Sequence, residues 1–384
     1  MTDTTAIYLD NNATTQPAAE CIDAMLQALR TSYANPSSKH QAGEHAKQLL
    51  MQARAQVAKL VGATPAEIVF TSGATESNAM ALHGAVALQL GKRHIVTSCV
   101  EHPSVLAVLQ QLENQGMKVT YLPVDRHGRI TLADLQDAVT EQTALVSLMW
   151  ANNETGVIFP IEAAAQIAHA QGVLFHTDAT QAAGKLHIEL DKLTAVDLLS
   201  FSGHKLHAAK GCGALFVRKG LQWPALLPGH QERGRRAGTE NVPALVSLGV
   251  ASALAAEKLI TELPRIRLLR DRFESELLAR LPQARVNGAG APRVANTSNI
   301  SFTGLEGEVI LQRLDRAGIA ASSGAACSAG GDEPSHVLAA MGLEARAALA
   351  SLRFSLSRYT TAAEVDRAIE VMSGIINSDC ARVA

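Results

Sequence analysis

The chain has little cysteine, almost no net charge and no apolar run long enough to cross a bilayer, and each shortage removes a class of function. Its five cysteines, Cys21, Cys99, Cys212, Cys327 and Cys380, are scattered through 384 residues and form no C-x-x-C pair. That spacing excludes a disulfide framework or a zinc knuckle and leads us to expect a reducing, cytoplasmic location. A formal net charge of −2 leaves no basic field for nucleic acid or an anionic membrane, so neither is expected as a partner. The run Arg233, Arg235 and Arg236 is the local exception. The most apolar helical stretch, Leu245–Ile260, is shorter than a bilayer span and is broken by Ser247, Gly249, Ser252, Glu257 and Lys258; it is expected as a buried helix. The first twelve residues show no basic segment followed by an apolar one, so no secretory signal is expected. Internal repeats and low-complexity linkers are absent too.

What is present is a globular composition, 47% hydrophobic and 18% charged, on a chain long enough for two domains. Short β-rich apolar runs alternate with segments of helical period. The strands expected are Glu67–Thr71, His94–Ser98, Val119–Pro123, Ala144–Trp150, Val173–Thr177, Leu198–Ser202 and Gly213–Arg218. Helix-like stretches such as Glu76–Leu90, Ser104–Gln115 and Ile161–Gln171 lie between them. Alternation of this kind implies an α/β fold with a mostly parallel seven-stranded sheet, whose ligands bind at the carboxyl ends of the strands. After about Ile260 the pattern changes to a helix, the strands Ser298–Phe302 and Ser351–Ser355, and a closing helix from Ala362. We expect a large domain over residues 15–260. A smaller α+β domain is expected from 1–14 and 261–384, with a small-residue loop at about 320–331.

Three strand ends carry candidate chemistry. The first strand runs into Thr71-Ser72-Gly73-Ala74-Thr75-Glu76-Ser77-Asn78, a small-residue turn opening a helix. Free N–H groups and the positive dipole end suit an anion there, although a capped helix start explains the same residues. Asp178 follows the strand Val173–Thr177, with Gln181 three residues on. Such an acid is either a helix cap or a carboxylate that keeps a pyridine nitrogen protonated. The next strand ends in Ser202-Gly203-His204-Lys205. A lone lysine at a strand end is a boundary charge; beside the other two anchors it favours a cofactor site.

The chain resembles the cysteine desulfurases of the NifS/IscS family, in the class V aminotransferase group of fold type I pyridoxal-phosphate enzymes. The matching segments are Tyr8 to Thr15 (YLDNNATT), Asn35 to His40 (NPSSKH), Thr75 to Asn78, Glu101-His102-Pro103 and Trp150 to Gly156 (WANNETG). They continue with His176 to Ala179, Ser202 to Lys205, Gly229 to Asn241 (GHQERGRRAGTEN), Ser322 to Cys327 and Arg353 to Ser355. The match runs in order over nearly the whole chain and is nearest the NifS branch. It departs at Ala209, Pro228, Ala325 and Ser328, none of them a reacting group.

The resemblance implies pyridoxal 5′-phosphate as cofactor, attached as a Schiff base to Lys205. Asp178 pairs with the ring nitrogen, Gln181 with the ring hydroxyl oxygen, and His102 stacks on the ring and moves protons. Thr75, Ser202 and His204 hold the phosphate, with Ala74 giving backbone. Thr239 reaches the phosphate of the other subunit of a homodimer. Asn153, itself at the cofactor, and Arg353 hold the substrate carboxylate, for which the planar arginine fork is suited. Cys327 selects the reaction: as a thiolate it attacks the sulfur of L-cysteine, leaving a persulfide and L-alanine, while the freed Lys205 amine serves as base. The persulfide is then expected to pass to an iron–sulfur scaffold or other acceptor protein, with a role in nitrogenase maturation as one form of this. No metal is expected at the catalytic site beyond contact of Cys327 with a nascent iron–sulfur cluster. A selenocysteine lyase, or another class V enzyme such as an aminotransferase, is the alternative.

Overall fold

The computed structural model describes residues 6–323 and 333–383. The chain opens with β1 (Ile7–Tyr8), α1 (Ala19–Thr31) and α2 (Gln41–Leu60), and then alternates. In order come β2 (Ile68–Thr71), α3 (Ala74–Leu88), β3 (His94–Ser98), α4 (Pro103–Asn114), β4 (Lys118–Leu122) and α5 (Leu132–Ala138). They are followed by β5 (Thr143–Met149), α6 (Ile161–Ala170), β6 (Leu174–Asp178), β7 (Leu198–Ser202) and β8 (Gly213–Val217).

Strands β2 to β8 form a seven-stranded sheet in the order β2-β8-β7-β6-β5-β3-β4. β8 runs antiparallel to both its neighbours, and the remaining pairs are parallel. Each of the seven expected strands forms, within one residue at either end. Glu67 drops out of β2 because its carboxylate turns back to accept from Thr64 N at 2.9 Å, Thr64 Oγ1 at 2.7 Å and Lys219 N at 3.0 Å, a capping box that holds it in a helical turn. Strand residues alternate between two cores, as a period of two requires. Ile68, Phe70, Phe175, Phe201 and Phe216 face one, and Val69, Ile95, Leu145, Leu198 and Leu215 face the other. Both faces are covered by helices, so the inner strands read as continuous apolar runs; edge strand β4 exposes Lys118 and Tyr121.

The second half departs from expectation at its join. A turn α7 (Gln231–Gly234) is followed by α8 (Val242–Arg280), which continues unbroken past Ile260 and through Pro264. Proline inside a helix removes one hydrogen bond, but here apolar packing continues on both sides of it. Leu245, Leu248, Ala251 and Ala255 belong to the first core, and Ile266, Leu269, Phe273 and Leu277 to another. Contrary to the expectation that no apolar run is long enough, this helix is by length and composition apolar enough to cross a membrane; it packs against α1, α2 and the closing helix.

Beyond it lie β9 (Ala284–Val286), β10 (Thr297–Phe302), α9 (Gly307–Arg316), β11 (Ile319–Ala320) and β12 (Ser322–Ser323). The described chain ends with α10 (His336–Ala340), α11 (Ala345–Leu349), β13 (Ser351–Ser355) and α12 (Ala362–Val383). These build an antiparallel sheet in the order β12-β13-β10-β9, with β1 paired to β11. The short strands β1, β9, β11 and β12 are too brief for a period to show in sequence. Leu9 inserts into the core of this region, whereas Ala18 and Cys21 belong to the large sheet's core. The segment between them, Asp10 to Thr15, therefore crosses from one to the other beside the strand ends.

Candidate active site

A cavity of about 570 Å³ opens where the carboxyl ends of β2, β5, β6 and β7 meet the crossing segment and β13. Its wall includes Ala74, Thr75, His102, Asn153, Asp178, Gln181, Ser202, His204, Lys205 and Arg353. The tertiary fold thus brings together ten of the sequence-derived candidates from segments up to 279 positions apart. Thr239 is exposed on the loop before α8 and does not border this cavity. Cys327 lies outside the described residues. The described chain on either side of it is attached close by. Ser322 pairs with Arg353 across β12 and β13. Ser335 Oγ donates to Glu154 Oε2 at 2.5 Å, and His336 Nε2 to Glu101 O at 3.0 Å.

One end of the cavity is built for an anion. Helix α3 begins at Gly73 with no side-chain cap, so the N–H groups of its first turn, at Ala74 and Thr75, have no partner within the helix. Ser202, His204, Lys210 and Gly211 stand around the same end. The turn fits because residue 213 is glycine: a Cβ there would lie 2.6 Å from Gly73 Cα and 2.8 Å from Phe201 O. Glu76 steadies the turn from outside, accepting from Ser72 N at 2.8 Å and from Arg236 Nε at 2.7 Å. Arg236 of the basic run is thus an inward strut. His204 Nδ1 meets Thr14 Oγ1 at 3.2 Å, and burial, with Lys205, Lys210 and His102 nearby, pushes the imidazole down to about 4. It is neutral at pH 7.

The middle of the cavity carries the acid, the lysine and the imidazole. Asp178 is 5% exposed; its Oδ1 accepts from Thr180 N at 2.9 Å and its Oδ2 from Asn78 Nδ2 at 2.8 Å. Lys205 Nζ donates to the carbonyls of Asn12 at 2.6 Å and Ala13 at 2.5 Å. His102 Nδ1 accepts from Ser104 N at 3.1 Å and lies 2.9 Å from Ser104 Oγ. Burial, helped by Lys205 and His336 and opposed by Asp178, lowers its pKa. A neutral ring whose Nδ1 accepts must carry its proton on Nε2. Asn78 Nδ2 also donates to Ser104 Oγ at 3.0 Å, so one amide ties the imidazole's support to Asp178.

The far end is cationic. Arg353 is 3% exposed; its Nη2 donates to Asp10 Oδ1 at 2.8 Å and its Nη1 to Asn153 O at 3.3 Å. Two buried atoms of residues bordering the cavity, Arg353 Nε and Thr180 Oγ1, have no hydrogen-bond partner among the described residues. Buried polar atoms are rarely left so, and here they mark places for ligand oxygens. An uncapped helix start for a phosphate, a carboxylate for a pyridine nitrogen, an amide and an amine along one wall are the donor set that pyridoxal phosphate needs. The residues fit that group.

Four polar residues of this network carried no assigned role in the sequence. Asn12, Asn78, Ser104 and Glu101 all sit in or beside quoted motifs, and Asn12, Asn78 and Glu101 are polar residues buried where apolar ones would pack more cheaply. Asn12 joins the most: its Nδ2 donates to Thr297 Oγ1 at 2.8 Å and to Asn153 O at 3.0 Å, and its Oδ1 accepts from Asn296 Nδ2 at 3.0 Å. Glu101 is fully buried, accepting at Oε1 from Ser98 Oγ at 2.6 Å and Met149 N at 2.9 Å. Glu154, also buried, is pushed up to about 7, chiefly by burial.

The profile of the aminotransferase class-V family matches residues 7–368. A protein named cysteine desulfurase 2 from Trichormus variabilis is 53% identical over 371 residues, which cover 96% of this chain and 93% of that protein. The cysteine desulfurase NifS of Azotobacter vinelandii is 47% identical over 372 residues, 96% of this chain and 92% of that one. A solved NIFS-like protein superposes with a TM-score of 0.90 at 37% identity, covering 97% of this chain and 99% of the other.

Proposed function

The chain belongs to the aminotransferase class-V family, whose fold type I architecture it has, and on that premise we propose that it is a pyridoxal-phosphate-dependent cysteine desulfurase. It converts L-cysteine to L-alanine and takes the sulfur onto Cys327 as a persulfide. The observation that carries this reading is the convergence of Lys205, Asp178, Gln181 and the uncapped start of α3 on one cavity.

When bound, pyridoxal phosphate supplies an electron sink for charge released at the substrate α-carbon. Ala74, Thr75, Ser202 and His204 would hold its phosphate and Asp178 its ring nitrogen, with Gln181 at the ring oxygen. The chain's own groups do the rest. Arg353 grips the substrate carboxylate through Nε, which has no partner among the described residues, while Asp10 and the Asn153 carbonyl keep the guanidinium plane in place. Asn153 adds its side-chain amide beside it. Lys205 Nζ, held by two carbonyls, takes the α-proton as base. His102, with its proton on Nε2, is the acid for later transfers. The Cys327 thiolate attacks the substrate sulfur, the carbon–sulfur bond breaks, and the electron pair left on carbon is protonated to give alanine.

Finer parts of the reading belong to the same proposal. The protein acts as a homodimer in which Thr239 completes the partner's phosphate site. The exposure of Ile22, Leu26 and Leu29 along one face of α1 supports such a contact. The persulfide passes to an iron–sulfur scaffold protein, with nitrogenase maturation as the narrower form, and the relative named NifS supports that choice. The unpaired Cys21, Cys99 and Cys212 support a reducing, cytoplasmic setting.

The test is the visible spectrum of the pure protein before and after L-cysteine, with alanine and sulfide measured alongside. We expect a coloured protein, equal alanine and sulfur release under thiol, no colour band in Lys205→Ala, and no desulfuration in Cys327→Ala. A wild-type protein that stays colourless with added pyridoxal phosphate would sink the reading. Sulfide release that survives Cys327→Ala would remove Cys327 from it.

A further inference from the structure

Lys185 belongs to none of the motifs that mark the site, yet it touches two of the site's amides. It lies four residues beyond Gln181 in the turn after β6, and its Nζ donates to Gln181 Oε1 and, at 3.3 Å, to Asn12 Oδ1. Behind it a second cavity of about 50 Å³ separates it from α8. The charged groups around it are Lys205 and Arg353 toward the main cavity, and Glu262 and Arg358, with a His207 that burial keeps neutral, around the small one that Lys205 also borders.

An ammonium has three donors and no acceptor, so only oxygens can satisfy it. The two contacts therefore decide which way both amides face. With Oε1 turned to Lys185, Gln181 offers only N–H groups elsewhere: one goes to Asn12 O at 3.0 Å, and the second remains for the main cavity that Gln181 lines. With Oδ1 turned to Lys185 and Asn296, Asn12 directs Nδ2 to Thr297 and Asn153. The backbone carbonyl of the same Asn12 holds Lys205 Nζ at 2.6 Å.

We propose that Lys185 is a positioning residue, which makes Gln181 an obligate donor toward the cofactor's ring oxygen and fixes Asn12 as the clamp on Lys205. The inference rests on the reading that the main cavity takes pyridoxal phosphate. Burial, with Lys205 and Arg353 adding to it, pushes the Lys185 ammonium down to about 7. The charge is therefore half lost at about pH 7 and complete only below it, where the two oxygens hold the ammonium.

The experiment compares cofactor-loaded wild type with Lys185→Met, Lys185→Gln and Lys185→Arg. The first readout is the pH midpoint of the visible absorption change, and the second is the rate of cofactor loss on dialysis. Removing a positive charge beside the Lys205 nitrogen favours its protonated state, so Lys185→Met should raise the midpoint by about half a pH unit or more. Cofactor loss should quicken roughly tenfold, the scale of one hydrogen bond to a charged group. Lys185→Arg, still a charged donor, should stay near wild type on both. Lys185→Gln, which can donate without charge, should shift the midpoint like methionine but release cofactor more slowly. Wild-type values for both readouts in Lys185→Met overturn the proposal; if that variant does not fold, an unshifted midpoint in Lys185→Gln overturns it. A wild-type protein with no visible band would instead overturn the cofactor reading.

Discussion

Replacing Glu101 with glutamine tests whether the site stands on a buried neutral acid. Glu101 is 0% exposed, and while Oε1 has two donors, Oε2 has no partner among the described residues. Burial pushes its carboxyl from 4.5 up to about 8; Asp178 adds to this, and the bonds from Ser98 and Met149 oppose it. Between pH 4.5 and about 8 the unfolded chain has released this proton and the folded chain keeps it. Stability from this group is therefore fully present below pH 4.5 and declines as pH rises to about 8. The slope is at most about 1.4 kcal/mol per pH unit, a ceiling of roughly 5 kcal/mol across the window. Glutamine copies the protonated acid, keeping the Oε1 acceptor while having no proton to lose. Its extra N–H lacks a partner, at a cost of about 1–3 kcal/mol that does not vary with pH. The informative quantity is thus the pH slope of the difference between the two proteins, in which other titrating groups cancel. Urea denaturation of the cofactor-loaded proteins at pH 5.5, 7 and 8.5, followed by fluorescence and circular dichroism, measures it. We expect Glu101→Gln to gain on wild type by on the order of 1 kcal/mol per unit up to about pH 8 and to level off above it. A flat difference, or one that grows against glutamine, would mean that Glu101 is ionised in the fold and the burial argument is wrong.

Other substitutions separate the parts of the site. Arg353→Lys keeps the charge and loses the fork, so KM for L-cysteine should rise about 10- to 100-fold with a smaller fall in kcat; steady-state alanine formation checks it, and an unchanged KM would remove Arg353 from carboxylate binding. Gly213→Ala puts a Cβ against two backbones, a strain of about 1–3 kcal/mol. If it is relieved by moving the Gly73 turn, pyridoxal-phosphate affinity falls roughly tenfold or more by fluorescence titration. Glu232→Ala leaves Arg54 buried without its two-oxygen partner and frees Phe70 N. It should cost about 3–5 kcal/mol in denaturation experiments, and should also loosen the loop that holds Glu232 and Arg233 at φ 48° and 59°.

The amino-acid sequence by itself determined the large sheet and three anchors of the cavity, the turn at Gly73, Asp178 and Lys205. Strands buried on both faces carry apolar runs, and β2, β6 and β7 end in Thr71, Asp178 and Ser202, so these strands and the residues they deliver were legible from local pattern. The tertiary structure decided three other things. Helix α8 continues through Pro264 because two cores, one on each side of the proline, hold it. Thr239 sits away from the cavity of its own chain, which no spacing in the sequence expresses. The supporting network is invisible locally because its donors and acceptors are remote: Gln181 meets Asn12 across 169 residues, Lys205 meets it across 193, and Arg353 meets Asp10 across 343. A side chain's type says what it can donate or accept, but only the folded chain settles which partner it meets. Lys185 and Glu101 acquire their charge states and their roles from that choice.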